Sequence, residues 1–308
     1  MGGAAVGLPA LFNALVSRRA QRLPALKWGS GDRYRWKQGT VAFQRLGEGT
    51  RVALIHSFGP GHSAVEWRRA AEILARTHEV FAPDLLGWGQ SEKPRLTYDS
   101  ELYIELLADF LRHVVGARAV VVAAGLPAAY AVQVAADQPG LLRALALVVP
   151  QGIELYGDEP DFKDAVVHRL LRLPILGTSA LNLFTSRSAL AGYLRRDVYA
   201  SPDFVDHALV DEHYRASHQG GAHGALAAHL SGYLNHGVRD ILSRLDLPVW
   251  IAWGRRATSP SVETADLWLQ RLPGAELEVF ESCGIHPHAE SPGELCGKLE
   301  GFLAKLDR

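Results

Sequence analysis

The segment from Cys283 to Glu290, "CGIHPHAE", is dense in side chains that can do acid–base, nucleophilic or metal chemistry. A histidine can exchange a proton near neutral pH, and a cysteine can attack as a thiolate. His286 could face inward as a base or pack within its loop, and both interpretations stay open. Nothing around Cys283 predicts a lowered thiol pKa, so we expect a buried spectator thiol.

The same segment has the composition of a metal-ligand set. Pro287 and the loop setting predict that its side chains point in different directions, so we predict no bound metal. Six further histidines between residues 207 and 236 are five to seven residues apart, a spacing that does not place neighbours on one helical face. We predict that they are scattered.

The elements that must position these residues are strands alternating with helices. The strand-like segments are apolar, rich in β-branched residues and closed by glycine or proline. They follow a hairpin around Gly39 and read "RVALIHSFG", "HEVFAPDLLGWG", "ARAVVVAAG", "LRALALVVPQG", "LPVWIAWG" and "AELEVFESCG". Helical periodicity between them predicts the α/β class, with a doubly wound, mostly parallel sheet and helices on both faces.

The strand signal disappears between residues 153 and 240, where the pattern is helical. We predict a helical cap at 153–240, inserted between core segments at 28–152 and 241–308. An insertion after the carboxyl end of a strand lies over the edge where open α/β sheets bind ligands. Residues 1–27 predict an amphipathic helix, which either packs on the domain or docks on a membrane surface or partner.

The charge balance argues against a nucleic-acid-binding protein, because 32 lysines and arginines almost cancel 33 aspartates and glutamates. We therefore expect small molecules or a protein as partners. Two cysteines are too few for a disulfide scaffold, so a reducing cytoplasm is expected. The sequence has no glycine-rich phosphate or dinucleotide motif, and we predict no cofactor.

Five segments, in this order, resemble the α/β-hydrolase superfamily, in particular its capped esterases, haloalkane dehalogenases and epoxide hydrolases. They are "LIHSFGPGHSAVEW", "FAPDLLGWGQSEKP", "VVVAAGLPAAYAVQVA", "LPVWIAWGRRATSP" and "FESCGIHPHAESPGEL". The resemblance implies the α/β-hydrolase fold, with an oxyanion loop in the first segment, a nucleophile elbow in the third and the catalytic histidine in the fifth. It also implies that His56 supports its loop by hydrogen bonding and that Asp84 holds its turn through backbone amides. His288 and Glu290 match positions that mainly shape the histidine loop in similar proteins.

The residues that the resemblance places at the three catalytic positions cannot perform the family's chemistry. Gly125 stands at the nucleophile, Ala257 at the acid and Ile285 at the histidine. None of these side chains can attack a substrate, orient an imidazole or accept a proton. Ser57 replaces the glycine after His56, so a side chain enters the oxyanion region. We interpret this pattern as a degenerate triad.

Three functions remain open. The favoured one is non-catalytic binding of a small apolar ligand, or of a protein partner, under the cap. Its predicted pocket residues are His56, Ser57, Phe58, Gly125, Leu126, Trp253 and Ile285. The second is a lyase, cyclase or isomerase assisted by His286, Glu154 or Asp158, since some family members place their acid after the corresponding strand. The third is a hydrolase with a relocated site, for instance one using Cys283 and His286.

Overall fold

The computed structural model describes residues 2–23, 28–116 and 118–306, with side chains from residue 7 onward. One eight-stranded sheet has the order β1-β2-β4-β3-β5-β6-β7-β8. All pairings among β3 to β8 are parallel, whereas β1–β2 and β2–β4 are antiparallel. The strands are β1 (Asp32–Trp36), β2 (Gly39–Leu46), β3 (Thr50–Ile55), β4 (His78–Pro83), β5 (Ala119–Ala124), β6 (Leu142–Val148), β7 (Val249–Gly254) and β8 (Glu276–Phe280). This sheet confirms the predicted α/β class and the hairpin at Gly39.

Helices join the parallel strands and flank the sheet. Helix α3 packs against α4, and α2 packs against α12. The α-helices of the described residues are α1 (Gly2–Gln21), α2 (Arg68–Leu74), α3 (Ser100–Phe110), α4 (Pro127–Asp137), α5 (Phe162–Leu171), α6 (Leu176–Phe184), α7 (Arg187–Tyr193), α8 (His207–Ser217), α9 (His223–Leu230), α10 (Ala265–Leu269), α11 (Pro287–Glu290) and α12 (Pro292–Leu306).

Strand β5 shows why this sheet is covered on both sides. Its sequence, AVVVAA, is buried at every position. Successive strand side chains point to opposite faces, so a strand without polar alternation requires apolar packing on both. The carboxyl ends of β3, β5, β6 and β7 then meet at one edge, and the loops that follow them approach one another there.

The turn between β5 and α4 has the shape of a nucleophile elbow. Gly125 has a φ of +63°, in the left-handed region that glycine adopts without steric cost. Its N–H donates to the Val148 carbonyl, and its own carbonyl accepts from the Gln151 N–H. Pro127 then begins α4, where its restricted φ suits the first helical turn. The elbow backbone is therefore present without a side chain at its tip.

The cap region lies between β6 and β7. Residues 149–248, all of which are described, form α5 to α9 with short 3₁₀ and π turns and contain no strand. Part of the cap has an apolar cluster separate from the main core, formed by Leu190, Leu194, Val198, Tyr199, Val205, Val210 and Tyr214 with Ala20 and Ala289. The division of the chain at 28–152, 153–240 and 241–308 stays a prediction.

Helix α1 packs on the cap, against α6 and α8. Asn13 donates to a cap carbonyl and accepts hydrogen bonds from two cap side chains. Leu8, Leu11 and Leu15 nevertheless remain largely exposed, so contact with a membrane surface or partner stays a prediction. Residues 24–27 of the predicted 1–27 helix, and Met1, lie outside the described residues. No helix in the described part of the chain is both long and apolar enough to cross a bilayer.

Candidate functional site

Ser57 is the centre of a buried polar cluster at the carboxyl edge of the sheet. Its Oγ lies 2.7 Å from His62 Nδ1, 3.0 Å from Glu66 Oε2 and 3.0 Å from His286 Nε2. Ser57 follows β3, His62 and Glu66 lie just before α2, and His286 immediately precedes α11. Each of these four side chains is at least nine-tenths buried.

Glu66 supplies the negative charge of the cluster. Its Oε1 accepts the backbone N–H of Ser57 at 2.7 Å, and its Oε2 accepts the hydroxyl of the same residue. Burial alone would raise the pKa of Glu66, but the surrounding imidazoles, His286 first, lower that pKa well below its usual range. The carboxylate is therefore ionised at neutral pH.

The positions of the protons follow from the donors and acceptors present. Because an ionised carboxylate only accepts, the single hydroxyl proton of Ser57 goes to Glu66. His62 Nδ1 and His286 Nε2 must then donate N–H to the serine oxygen. Burial lowers the pKa of His286 well below its ordinary value, so its imidazole is neutral. With its proton on Nε2, His286 does not present a basic nitrogen to Ser57.

Two more histidines border the cluster. His288 stacks on Trp67, with ring centroids 3.9 Å apart, and its Nε2 lies 3.3 Å from Glu66 Oε1. The ring of His213, from cap helix α8, stands edge-on to His62 at 5.2 Å. Burial lowers the pKa of His213 to about 4. Four imidazoles thus surround one buried carboxylate.

The residues that the sequence predicts at the three triad positions are glycine, alanine and isoleucine, whose side chains cannot exchange a proton. A Cβ built on Gly125 would lie 3.3 Å from Ser57 Cβ, so Ser57 stands directly over the elbow. Ala257 is buried in the turn after β7. Ile285 packs against both the main core and the cap cluster, and its N–H donates to the Val198 carbonyl. Ile285 joins the two apolar clusters.

The structure does not bring the proposed relocated acids or the thiol into this cluster. Glu154 and Asp158 are exposed, and Glu154 accepts a hydrogen bond from Thr264. Cys283 is buried and donates to Ser291, and burial raises the pKa of its thiol. Both cysteines are free, and the reducing compartment stays a prediction.

Four of the predicted pocket residues are deeply buried supports. His56 donates from Nδ1 to the Ser57 carbonyl and accepts the Leu85 N–H at Nε2, which holds the loop in place. Phe58 stacks on Trp88 at 4.8 Å. Leu126 and Trp253 belong to the main core. Their role in binding a ligand stays a prediction.

Asp84 holds its turn through backbone amides. Its two carboxylate oxygens accept the N–H groups of Ala64 and Gln90, each at 2.7 Å. Glu290 does the same for the histidine loop, since it accepts the N–H groups of Ala200 and Gly284. Both carboxylates therefore position loops at the carboxyl edge of the sheet.

A cavity of about 370 Å³ opens beside the cluster, between the core and the cap. His62 and Glu66 form part of its wall, so the cluster is reachable from this cavity. Its other lining residues mix apolar and charged side chains and include Val65, Arg68, Arg69, Tyr199, Phe204, Leu209, Glu212, His213 and Ala289. None of the seven predicted pocket residues lines it.

The sequence reasoning missed His62 and Glu66. The available signal was their spacing of four residues directly after the loop "HSFGPG". The expectation that the side chains of "HPHAE" diverge was wrong for the two histidines. The rings of His286 and His288 lie 4.8 Å apart, and both approach Glu66. They converge because Glu66, from a distant segment, is buried between them.

Comparison with known proteins identifies the family. Residues 52–297 match the model of the alpha/beta hydrolase family, so the chain belongs to that family. It is 29% identical to an uncharacterized protein of Mycobacterium tuberculosis (strain ATCC 25618 / H37Rv), covering 85% of this chain and 77% of the relative. It is 24% identical to a 2-hydroxymuconate semialdehyde hydrolase of Pseudomonas sp. (strain CF600), covering 85% and 89%.

The solved structures agree on the fold. A serine hydrolase involved in carbazole degradation superposes with a TM-score of 0.72 at 20% identity, covering 89% of this chain and 99% of the other. The epoxide hydrolase CorEH gives a TM-score of 0.72 at 21% identity, covering 90% and 99%. These similarities confirm the α/β-hydrolase fold that the resemblance implied.

Proposed function

We propose that this member of the family lacks the triad hydrolysis of its relatives and binds a small molecule in the cavity between core and cap. The observation that carries the proposal is the absence of a side chain at the tip of the elbow turn. Gly125 keeps the left-handed turn at the end of β5 but has no side chain to attack a substrate. Ala257 and Ile285 leave no acid or base at the two positions that would assist it.

The oxyanion region also opposes acyl transfer. The Ser57 N–H, which belongs to the oxyanion loop of the resemblance, already donates to Glu66. An oxyanion formed there would face a carboxylate, and two like charges 4 Å apart repel by about 4 kcal/mol at an effective dielectric constant of 20. Such a contact would raise the barrier that an oxyanion hole normally lowers.

The cavity wall supports a ligand that is apolar along its body and polar at its ends. Val65, Phe204 and Leu209 supply apolar surface. Charged side chains of both signs also line the cavity, namely Arg68, Arg69, Glu66, Asp203, Asp206 and Glu212. A pocket with mostly hydrophobic contacts and a few polar groups is typical of small-molecule sites. A cavity of about 370 Å³ suits a small molecule better than a protein partner.

One observation favours a second candidate, a hydrolase whose nucleophile is Ser57. The 3.0 Å distance between Ser57 Oγ and His286 Nε2 is the geometry of a nucleophile and its base. The ionised Glu66 opposes it, because that carboxylate takes the hydroxyl proton and leaves His286 as a donor. Substrate binding that displaced Glu66 would be required before His286 could act.

Hydrolysis assays separate the two candidates. We expect no turnover of short- and medium-chain p-nitrophenyl esters above buffer, and no difference between the native chain and Ser57→Ala. Turnover that Ser57→Ala abolishes would overturn the binding proposal and establish the relocated site.

Ligand binding is tested with 8-anilinonaphthalene-1-sulfonate, an apolar fluorophore with one negative charge. Leu209→Trp fills the cavity and should abolish the fluorescence increase. Leu183→Trp, on the exposed cap surface, is the matched control and should leave it unchanged. Equal binding by both variants would show that the cavity is not the binding site.

A further inference from the structure

We propose that His62, Glu66 and His286 form a binding site for a divalent transition-metal ion, with zinc the ion that fits the donor set best. The site goes beyond the proposed ligand binding and does not depend on it. Two imidazoles and one carboxylate are the protein ligands of many zinc centres, in which the fourth position stays open. The same set also binds other first-row metals.

The donor atoms are already gathered. One donor atom from each of these residues lies within 4.8 Å of the other two. His62 Nδ1 and Glu66 Oε2 are 3.2 Å apart, which is close to the separation of about 3.4 Å between donors in a tetrahedral zinc site. The third donor, His286 Nε2, needs only a modest inward movement.

Ser57 Oγ marks the centre of this donor set. It lies 2.7 Å from His62 Nδ1 and 3.0 Å from both Glu66 Oε2 and His286 Nε2. A zinc ion at that point would draw the donors inward by about 0.6 to 0.9 Å to reach bond lengths near 2.1 Å. Rotation about the Ser57 Cα–Cβ bond would vacate the centre for the ion.

The charge of the cluster favours a cation. In the described part of the chain, the ionic partners of Glu66 are the imidazoles of His62 and His288. A buried carboxylate is costly unless it is paired or coordinates a metal. A divalent ion held between the donors would place a positive charge in direct contact with this carboxylate.

Ligation requires the other tautomer of both rings, because His62 Nδ1 and His286 Nε2 donate their N–H groups to Ser57 Oγ in the cluster. Each neutral imidazole must carry its proton on the nitrogen that faces away from the metal. For His62 that nitrogen is Nε2, and the hydroxyl oxygen of Tyr193 lies 3.2 Å from it and can accept the proton in a hydrogen bond. This contact would orient the ring, as outer partners of metal-bound histidines usually do. The cavity beside His62 and Glu66 gives the ion an entry path.

The test is metal titration of the full chain after treatment with a chelator. We expect one equivalent of Zn²⁺ to bind in competition with a chromophoric chelator, and Co²⁺ to give the visible d–d absorption of a four-coordinate site. Mg²⁺, which prefers octahedral oxygen ligands, should not compete. Absence of stoichiometric Zn²⁺ binding by the native chain would overturn the proposal.

Variants show whether these residues are the ligands. We expect His62→Ala and His286→Ala to weaken Zn²⁺ binding by at least about 100-fold, more than the loss of outer partners usually costs. His229→Leu, which removes a buried histidine outside the cluster, should bind as the native chain does.

One variant keeps the test informative if the alanine variants misfold. His286→Cys retains a zinc donor and should preserve binding, with a sulfur-to-cobalt charge-transfer band appearing in the Co²⁺ form. Unchanged affinity in both alanine variants, or no such band in a folded His286→Cys, would show that the ion binds elsewhere.

Discussion

Replacing Gly125 by alanine tests whether the elbow retains the strained backbone of a nucleophile turn. At φ +63° a Cβ costs roughly 1–2 kcal/mol. The new Cβ would also stand 3.3 Å from Ser57 Cβ, close enough that Ser57 must shift slightly. The reduced entropy of the unfolded chain offsets about 0.4–1 kcal/mol. We expect Gly125→Ala to lower the free energy of unfolding by about 1 kcal/mol.

The assay is urea unfolding followed by circular dichroism, together with a thermal melt. A loss of about 1 kcal/mol corresponds to a fall in Tm of roughly 1.5 °C for a chain of 308 residues. Gly192→Ala is the matched control, because Gly192 lies in helix α7 and a Cβ there would meet nothing within 4 Å. The same chemical change should stabilise α7 by about 0.5–1 kcal/mol.

The two substitutions should therefore change the free energy of unfolding in opposite directions. A Gly125→Ala variant as stable as the native chain would refute the inference that the elbow is held in the left-handed region. A destabilised Gly192→Ala variant would instead show that the glycine-to-alanine comparison does not report backbone conformation at these sites.

Three further predictions concern stability. Asp84→Ala removes the acceptor of two charge-assisted hydrogen bonds and should lower the free energy of unfolding, measured in urea, by about 3 kcal/mol. A loss below about 1 kcal/mol would contradict the role of Asp84 in holding its turn. Burial lowers the pKa of His229 from 6.5 to about 4, so the folded chain binds fewer protons and becomes less stable as the pH falls from 6.5 towards 4. The shift corresponds to a loss of up to about 3 kcal/mol in the free energy of unfolding. His229→Leu should therefore make the free energy of unfolding depend less on pH between 6.5 and 4. An unchanged dependence would exclude His229 as its source. Asn13→Ala should make α1 several-fold more sensitive to limited proteolysis, and unchanged cleavage would show that its hydrogen bonds do not hold the helix on the cap.

The strands and the elbow could be predicted because their signals are local. Strand β5 is apolar at every position, and the following Gly125 and Pro127 mark a turn into a helix within a few residues. The residues predicted at the three triad positions are also local information once the strand ends are known. Gly125, Ala257 and Ile285 each follow a strand closely enough to be placed by counting.

The polar cluster could not be predicted in the same way. Ser57 and His286 are 229 positions apart, and their hydrogen bond exists only because the two loops meet at the sheet edge. The segment "HPHAE" predicted side chains that point apart, because no residue within the loop is a partner that both histidines could approach. In the folded chain both histidines approach the buried carboxylate of Glu66.

The sequence by itself determined the fold class and the identity of the residues that follow β5, β7 and β8. Both depend on residue identity and short-range periodicity, which the chain carries without reference to its partners. The tertiary structure alone decided that Ser57, His62, Glu66 and His286 meet in one buried cluster beside a cavity. Burial removes water from these groups, so their charges and protons can be satisfied only by one another or by a bound ion.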